Sequence, residues 1–98
     1  MRARRLVYSR RFRRRLEDIY ERIAADNPAA APRIVERIRT AIERLQQFPA
    51  IGRPGRVAGT RELVVAGTPY IVPYRINGGI VQIITVLHSA QRRPDHFP

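Results

Sequence analysis

The sequence predicts a single α+β domain in which a short N-terminal strand and a helical hairpin precede a three-stranded antiparallel meander. Three observations predict this class: an apolar helical repeat over residues 12–23, a second over residues 34–45, and two apolar runs joined by Asn77-Gly78-Gly79. A chain of 98 residues is long enough for one compact core. No repeat, linker or low-complexity segment divides it, so we expect one domain over residues 1–98.

The first strand and the first helix follow one another directly. Arg5-Leu-Val-Tyr8 is a short run of the β type, and Ser9 after it is a good helix N-cap because its hydroxyl can accept a backbone N–H. Apolar residues then recur at intervals of four, three and four, at Phe12, Leu16, Ile19 and Ile23. This spacing predicts a helix with one apolar face that ends near Asp26-Asn27-Pro28.

The second helix is predicted to begin at Pro28 or Pro32 and to end at Phe48. Its apolar stripe is Ile34, Ile38, Ile42 and Leu45. Pro32 fits a helix only within the first turn, where its missing N–H has no intrahelical partner to lose. Two amphipathic helices with a short connection predict a helical hairpin.

The rest of the chain is predicted to form the sheet. Residues 48–56 are rich in proline and glycine and are predicted to be a loop, and Thr60–Val65 is the next strand. The strands over residues 70–75 and 80–88 form a hairpin, since Asn-Gly tolerates the positive φ of a tight turn. Pro73 removes one ladder donor, so we expect an edge, a bulge or a gap in pairing there.

The charge of the chain restricts its partners. The formal net charge is +11, and all 19 basic residues are arginines. Arginine is suited to bidentate contact with phosphate or carboxylate, which favours a polyanion or an acidic protein as partner; a GC-rich coding sequence is the alternative explanation. There is no cysteine and there are two histidines, so we propose neither a metal nor a cofactor. No apolar run has the length of a membrane span or a signal peptide, which predicts a cytoplasmic protein.

Several motifs in this order resemble one family. They are the β-α-α-β-β-β layout, the loop Phe48-Pro-x-x-Gly52-x-Pro54, the strand Val72-Pro-Tyr-Arg75-Ile and the strand end Val86-Leu-His88. Over nearly its whole length the chain resembles the RelE/ParE superfamily of toxins, which belong to type II toxin–antitoxin modules. The resemblance implies growth arrest unless a cognate antitoxin from the same operon binds the toxin in a hetero-oligomer.

The antitoxin expected from this resemblance has an acidic, disordered half that folds on the toxin. The net charge of +11 and the helical hairpin suit an acidic amphipathic segment. The alternative is a helical surface that is simply solvated. The residues expected to contact the antitoxin are Phe12, Arg13, Leu16, Tyr20 and Arg37.

The superfamily contains two activities. RelE-like members are nucleases that cut messenger RNA in the ribosome without a metal, whereas ParE-like members inhibit DNA gyrase through protein contact. As a nuclease, the chain would use Arg61 and Arg75 to clamp phosphate and His88 as general acid or base. The alternative is that these residues have structural roles. His88 would then hydrogen-bond to the backbone at the strand end, and Arg75 would form an ion pair with Glu62.

The departures from the nuclease pattern favour a ParE-like gyrase inhibitor. RelE-like nucleases usually have a basic residue at the start of the third strand of the domain, which here reads Tyr70-Ile71-Val72. The strand end at His88 also looks closer to ParE-like sequences. The expected target-binding face, formed by convergence at the strand ends and tail, is Arg61, Arg75, His88, Arg92 and Arg93.

A nucleic-acid-binding module is a third interpretation. Eight of the first fifteen residues are arginine, which would give salt-dependent binding through counterion release. Its aromatic residues are too scattered to predict a platform for base stacking.

Overall fold

The computed structural model of the chain describes residues 4–90 and residue 97, and it has the predicted α+β architecture. The predicted N-terminal strand, helical hairpin and antiparallel meander are all confirmed. The elements in chain order are β1 (Arg5–Tyr8), α1 (Arg10–Asp26), α2 (Ala30–Glu43), β2 (Arg53–Pro54), β3 (Arg61–Val64), β4 (Tyr70–Asn77), β5 (Ile80–Ile83) and β6 (Leu87–His88). Two short 3-10 turns, Arg44–Gln46 and Pro49–Ile51, lie between α2 and β2.

Both helices begin as their sequences predict. The Ser9 hydroxyl accepts the Phe12 N–H at 2.9 Å and caps α1. α2 begins at Ala30, so Pro32 lies in its first turn. α2 ends at Glu43 rather than at the predicted Phe48, because the chain continues as the tighter turn Arg44–Gln46. Neither helix in the described part of the chain has the length and apolar content needed to cross a membrane.

The sheet has the strand order β1-β5-β4-β3-β2. β3, β4 and β5 form the predicted antiparallel meander. β1 pairs in parallel with β5, from Arg5↔Ile80 to Tyr8↔Ile83. β2 corrects the prediction of an unpaired loop over residues 48–56, because Arg53 and Pro54 pair with Glu62 and Arg61.

A bulge opposite Pro73 separates β5 from β6, which sequence reasoning had joined in one strand over residues 80–88. The flanking pairs with β4 are Tyr74↔Ile83 and Ile71↔Leu87. Two residues of β4 therefore face three residues, 84–86, and the extra residue forms the bulge. Pro73 has no N–H to offer, and its carbonyl accepts the Ile84 N–H at 3.0 Å. Of the edge, the bulge or the gap in pairing expected at Pro73, the structure shows the bulge.

The core lies between the helices and one face of the sheet, which we call the helix face. Alternation along β4 places Tyr70, Val72 and Tyr74 on the helix face, and Ile71, Pro73 and Arg75 on the far face. The buried core is Phe12, Ile38, Ile42, Leu45, Leu63, Val65, Tyr70, Val72, Tyr74, Val81, Ile83 and Val86. This division into two faces decides which of the predicted functional residues can act together.

Candidate functional site

Arg61 lies at the start of β3 on the helix face, paired with Tyr74. Its Nη1 donates to the Gly52 carbonyl at 2.8 Å and to the Ala50 carbonyl at 3.3 Å. The guanidinium therefore holds the loop that follows α2.

Arg75 lies on the far face, paired with Gln82 of β5. The alternative pairing of Arg75 with Glu62 does not form. Glu62 is buried, and it accepts from Arg53 Nη2 at 3.3 Å and from the Arg56 N–H at 3.1 Å. The register explains this choice, because Arg53 is the direct cross-strand neighbour of Glu62.

His88 lies at the end of β6, paired with Tyr70. The two rings meet edge to face, with centroids 5.6 Å apart. The His88 Nδ1 accepts the Ala90 N–H at 3.0 Å. The structural alternative for His88, a hydrogen bond to the backbone at the strand end, is therefore present. With residues of α1, among them Arg15 and Arg22, His88 and Tyr70 line a cavity of about 70 Å³.

The expected convergence of Arg61, Arg75 and His88 is not seen. Arg61 pairs with Tyr74 and His88 pairs with Tyr70, so they are four residues apart along β4, or about 13 Å. Arg75 lies on the opposite face of the sheet. Two further members of the predicted target-binding set, Arg92 and Arg93, lie outside the described residues.

Three of the residues expected to contact an antitoxin do lie together. Arg13, Leu16 and Tyr20 line a groove of about 330 Å³ between α1 and α2, which we call the hairpin groove. The Tyr20 side chain is 42% exposed there. Phe12 must be removed from this set, because it is only 3% exposed and its ring packs on Tyr8 at 5.4 Å.

Arg37 lies on the other side of α2 from the hairpin groove. Its Nη1 donates to the Ala66 carbonyl at 3.2 Å, and it lines a groove of about 790 Å³ between α2 and β3, which we call the edge groove. Val64, which also lines this groove, is 53% exposed, and its pairing with Ile71 places its side chain on the far face of the sheet. β2 pairs with only the first two residues of β3, so among the described residues Val64 has no strand beside it on that edge.

The loop over residues 48–52 is held by a buried tyrosine. The Tyr74 hydroxyl donates to the Pro49 carbonyl at 2.6 Å and accepts the Gly52 N–H at 2.9 Å. Burial raises the pKa of Tyr74, and the hydrogen bond from Gly52 partly opposes that rise. Phe48 and Ile51 nevertheless point outward, exposed by 55% and 45%.

Sequence reasoning found this loop through its proline and glycine residues but assigned it no function. The available signal was the presence of two large apolar side chains in a segment otherwise typical of a turn. No group of three histidine, aspartate or glutamate side chains within the described residues is placed to hold a metal ion.

Comparison with known proteins supports the family resemblance over most of the chain. A family model described as the ParE toxin of the type II toxin–antitoxin system parDE matches residues 6–93. The toxin homologue Y4kP of Sinorhizobium fredii is 49% identical over 94 residues, which cover 96% of this chain and 97% of that protein. Toxin RelE2 of Caulobacter vibrioides is 37% identical over 76 residues, 78% of this chain and 84% of that protein.

Two solved structures share the fold. A chain of the chromosomal ParDE toxin–antitoxin system of P. aeruginosa matches with a TM-score of 0.82 and 28% identity, over 88% of this chain and 96% of that one. A chain of the toxin–antitoxin complex RelBE2 of Mycobacterium tuberculosis matches with a TM-score of 0.61 and 26% identity, over 88% and 98%.

Proposed function

Because this chain belongs to the ParE toxin family of type II toxin–antitoxin systems, we propose that it arrests growth by inhibiting DNA gyrase and that a cognate antitoxin holds it inactive. The family assignment confirms the resemblance seen in the sequence. The observation that carries the choice of gyrase is the separation of Arg61, Arg75 and His88 on the sheet.

Metal-free RNA cleavage needs a general base and a phosphate-stabilising cation around one phosphate group. The three residues predicted for those roles lie on two faces of the sheet. The two that share a face, Arg61 and His88, are offset by about 13 Å along β4 and lie on opposite sides of that strand. Arg61 is also engaged by two carbonyls of the 48–52 loop. This arrangement favours a toxin that acts by protein contact. The TM-score of 0.82 with a ParDE protein, against 0.61 with RelBE2, points the same way.

A RelE-like nuclease is the second candidate, and one observation favours it. His88 shares its cavity with Arg15 and Arg22 of α1, which together place an imidazole and two cations beside one another, with the Asp18 carboxylate in the same cavity. The 37% identity with toxin RelE2 of Caulobacter vibrioides also supports this candidate.

The two candidates differ in which synthesis stops first. We expect a pulse of labelled thymidine to show loss of incorporation minutes after the chain is induced without antitoxin, while labelled leucine is still incorporated. Early loss of leucine incorporation alone would favour the nuclease. If both labels continued to be incorporated, the growth-arrest proposal would fail.

Deleting residues 92–98 is expected to reduce growth arrest more than His88→Ala does. A protein-docking toxin loses two arginines with the tail, whereas His88→Ala removes a single side chain that packs edge to face on the Tyr70 ring and accepts the Ala90 N–H. Colony counts at matched expression, with folding checked by circular dichroism, measure this. A nuclease reverses the order, because loss of a general base costs about 10²–10⁴-fold in rate.

We propose that the antitoxin crosses α2 and occupies both grooves. Tyr20 is exposed in the hairpin groove, and Val64, whose side chain lies on the far face of the sheet, is exposed beside the edge groove. Arginines border both, including Arg13 and Arg39 on one side of α2 and Arg37 on the other. An acidic amphipathic segment that folds on binding complements this pattern.

Tyr20→Ala is expected to weaken antitoxin binding by about 2 kcal/mol, roughly thirty-fold, because a partly exposed tyrosine in a groove is typical of interface hot spots. Calorimetric titration with the antitoxin measures this loss. Ile80→Ala is the matched control, since Ile80 is also exposed but lines neither groove. Equal affinity of the two variants would remove the hairpin groove from the antitoxin surface.

A further inference from the structure

Two large exposed apolar side chains lie on a single turn of the 48–52 loop. The Ile51 N–H donates to the Phe48 carbonyl at 3.3 Å and closes a turn around Pro49. The Cα atoms at the ends of such a turn are within about 7 Å of each other. Phe48 and Ile51 are therefore neighbours on one turn, and we call this exposed pair the apolar knob. Single exposed apolar residues are ordinary, but an adjacent pair marks a candidate interface.

The backbone that carries the apolar knob is fixed from both sides. Tyr74, which is fully buried, bonds the Pro49 carbonyl and the Gly52 N–H. Arg61 donates to the carbonyls of Ala50 and Gly52. The Phe48 N–H donates to the Arg44 carbonyl at 3.0 Å. A loop held in this way loses little conformational freedom when a partner binds, so the knob is preorganised.

Most of the charges that flank the apolar knob along the chain are positive, although Glu43 precedes Arg44 and Glu62 pairs with Arg53. Arg44 precedes it, Arg53 follows it and Arg61 holds its backbone. Between residues 44 and 94 the only acidic residue is Glu62, which is buried and pairs with Arg53. A complementary partner therefore has an apolar pocket with carboxylates at its rim.

We propose that the apolar knob is the element by which this toxin docks into its protein target, and that the docking pocket of that target is apolar with an acidic rim. The inference rests on the proposed function, because the target it refers to is the gyrase holoenzyme. Residues 48–52 line neither the hairpin groove nor the edge groove, although Arg44 beside them does line the edge groove, so the knob adjoins the surface proposed for the antitoxin without being part of it.

Inhibition of plasmid supercoiling by the purified chain tests the knob with the complete gyrase. The double substitution Phe48→Ala with Ile51→Ala is expected to raise the concentration for half inhibition by about thirty-fold. Antitoxin affinity and the unfolding midpoint are expected to stay at the wild-type values, because both side chains are largely exposed. Ile80→Ala, another exposed isoleucine, serves as the control.

A pair of substitutions tests the acidic rim separately. Ile51→Asp and Ile51→Lys both remove the apolar side chain, but only the aspartate would repel carboxylates. We expect Ile51→Asp to inhibit at least about tenfold more weakly than Ile51→Lys. Equal inhibition by the two variants would overturn the acidic rim.

The remaining outcomes separate this inference from the proposed function. If the double variant inhibited gyrase as strongly as the wild-type chain does, the docking role of the apolar knob would be overturned, but gyrase would remain the target. Loss of antitoxin binding, or a change in oligomeric state with inhibition unchanged, would reassign the knob to the antitoxin or to a second copy. If the wild-type chain did not inhibit gyrase, the proposed function would fail. In that case growth arrest by the double variant would test the apolar knob instead. A double variant that still arrests growth would show that the toxin does not dock through the knob.

Discussion

Gly52→Ala is expected to lower the free energy of unfolding by about 3–5 kcal/mol. An added Cβ at this position would lie 2.5 Å from the Tyr74 Oη and 2.7 Å from its Cε1. Tyr74 is fully buried and cannot move aside without disturbing the core. Overpacking of this kind typically costs about 1–3 kcal/mol, and breaking the Tyr74 hydrogen bonds to the loop adds about as much again.

Denaturant unfolding followed by circular dichroism measures this loss. The φ of Gly52 is −69°, which alanine adopts easily, so the cost arises from the contact with Tyr74 and not from backbone strain. Gly79→Ala is the matched control, because a Cβ there meets nothing within 4 Å. A Gly52→Ala variant as stable as Gly79→Ala would contradict the close packing of the 48–52 loop on Tyr74.

Glu62→Ala is expected to destabilise the chain by about 1–3 kcal/mol, since it removes a buried acceptor and leaves the Arg56 N–H without its carboxylate partner, while Arg53 is half exposed and regains water. The Glu62 side chain is 5% exposed and accepts from both Arg53 and the Arg56 N–H. Glu62→Gln is expected to lose less, because the amide oxygen can still accept from Arg56. Thermal unfolding of the purified variants measures both losses.

A second glutamate provides the control for this experiment. Glu36 lies 3.8 Å from Arg39 on α2, and both side chains are more than half exposed. Exposed ion pairs contribute about 0–1 kcal/mol, so Glu36→Ala should leave the unfolding midpoint nearly unchanged. Equal effects of the two alanine substitutions would show that burial does not set the strength of the Glu62 pair.

The parts of the fold that depend on local sequence were predicted correctly. The apolar period of α1, the Ser9 cap and the bulge at Pro73 each follow from the geometry of a few consecutive residues. The parallel pairing of β1 with β5 could not be predicted, because the residues of Arg5–Tyr8 do not indicate which distant strand this segment pairs with. Strand β2 was missed for the same reason, since two residues carry no detectable period.

The candidate site was predicted less well because faces depend on register. Arg61 and Arg75 come from neighbouring strands, and a shift of one residue in the pairing would place both on the same face. Arg13, Leu16 and Tyr20 were grouped correctly, since residues three and four apart share a side of a helix. Phe12 belongs to the same period but points into the core, a distinction that spacing alone does not make.

The parallel pairing of β1 also determines when the toxin can complete its fold during synthesis. Arg5–Tyr8 finds its strand partner only in Ile80–Ile83, so these contacts span most of the chain. The Ser9 N–H likewise donates to the Ile83 carbonyl at 3.0 Å. Contacts of such high sequence separation form late, because a long loop must close before they contribute. A nascent chain that has not yet added β5 therefore lacks the finished sheet, so the toxin cannot complete its fold until residues 80–83 have been synthesised.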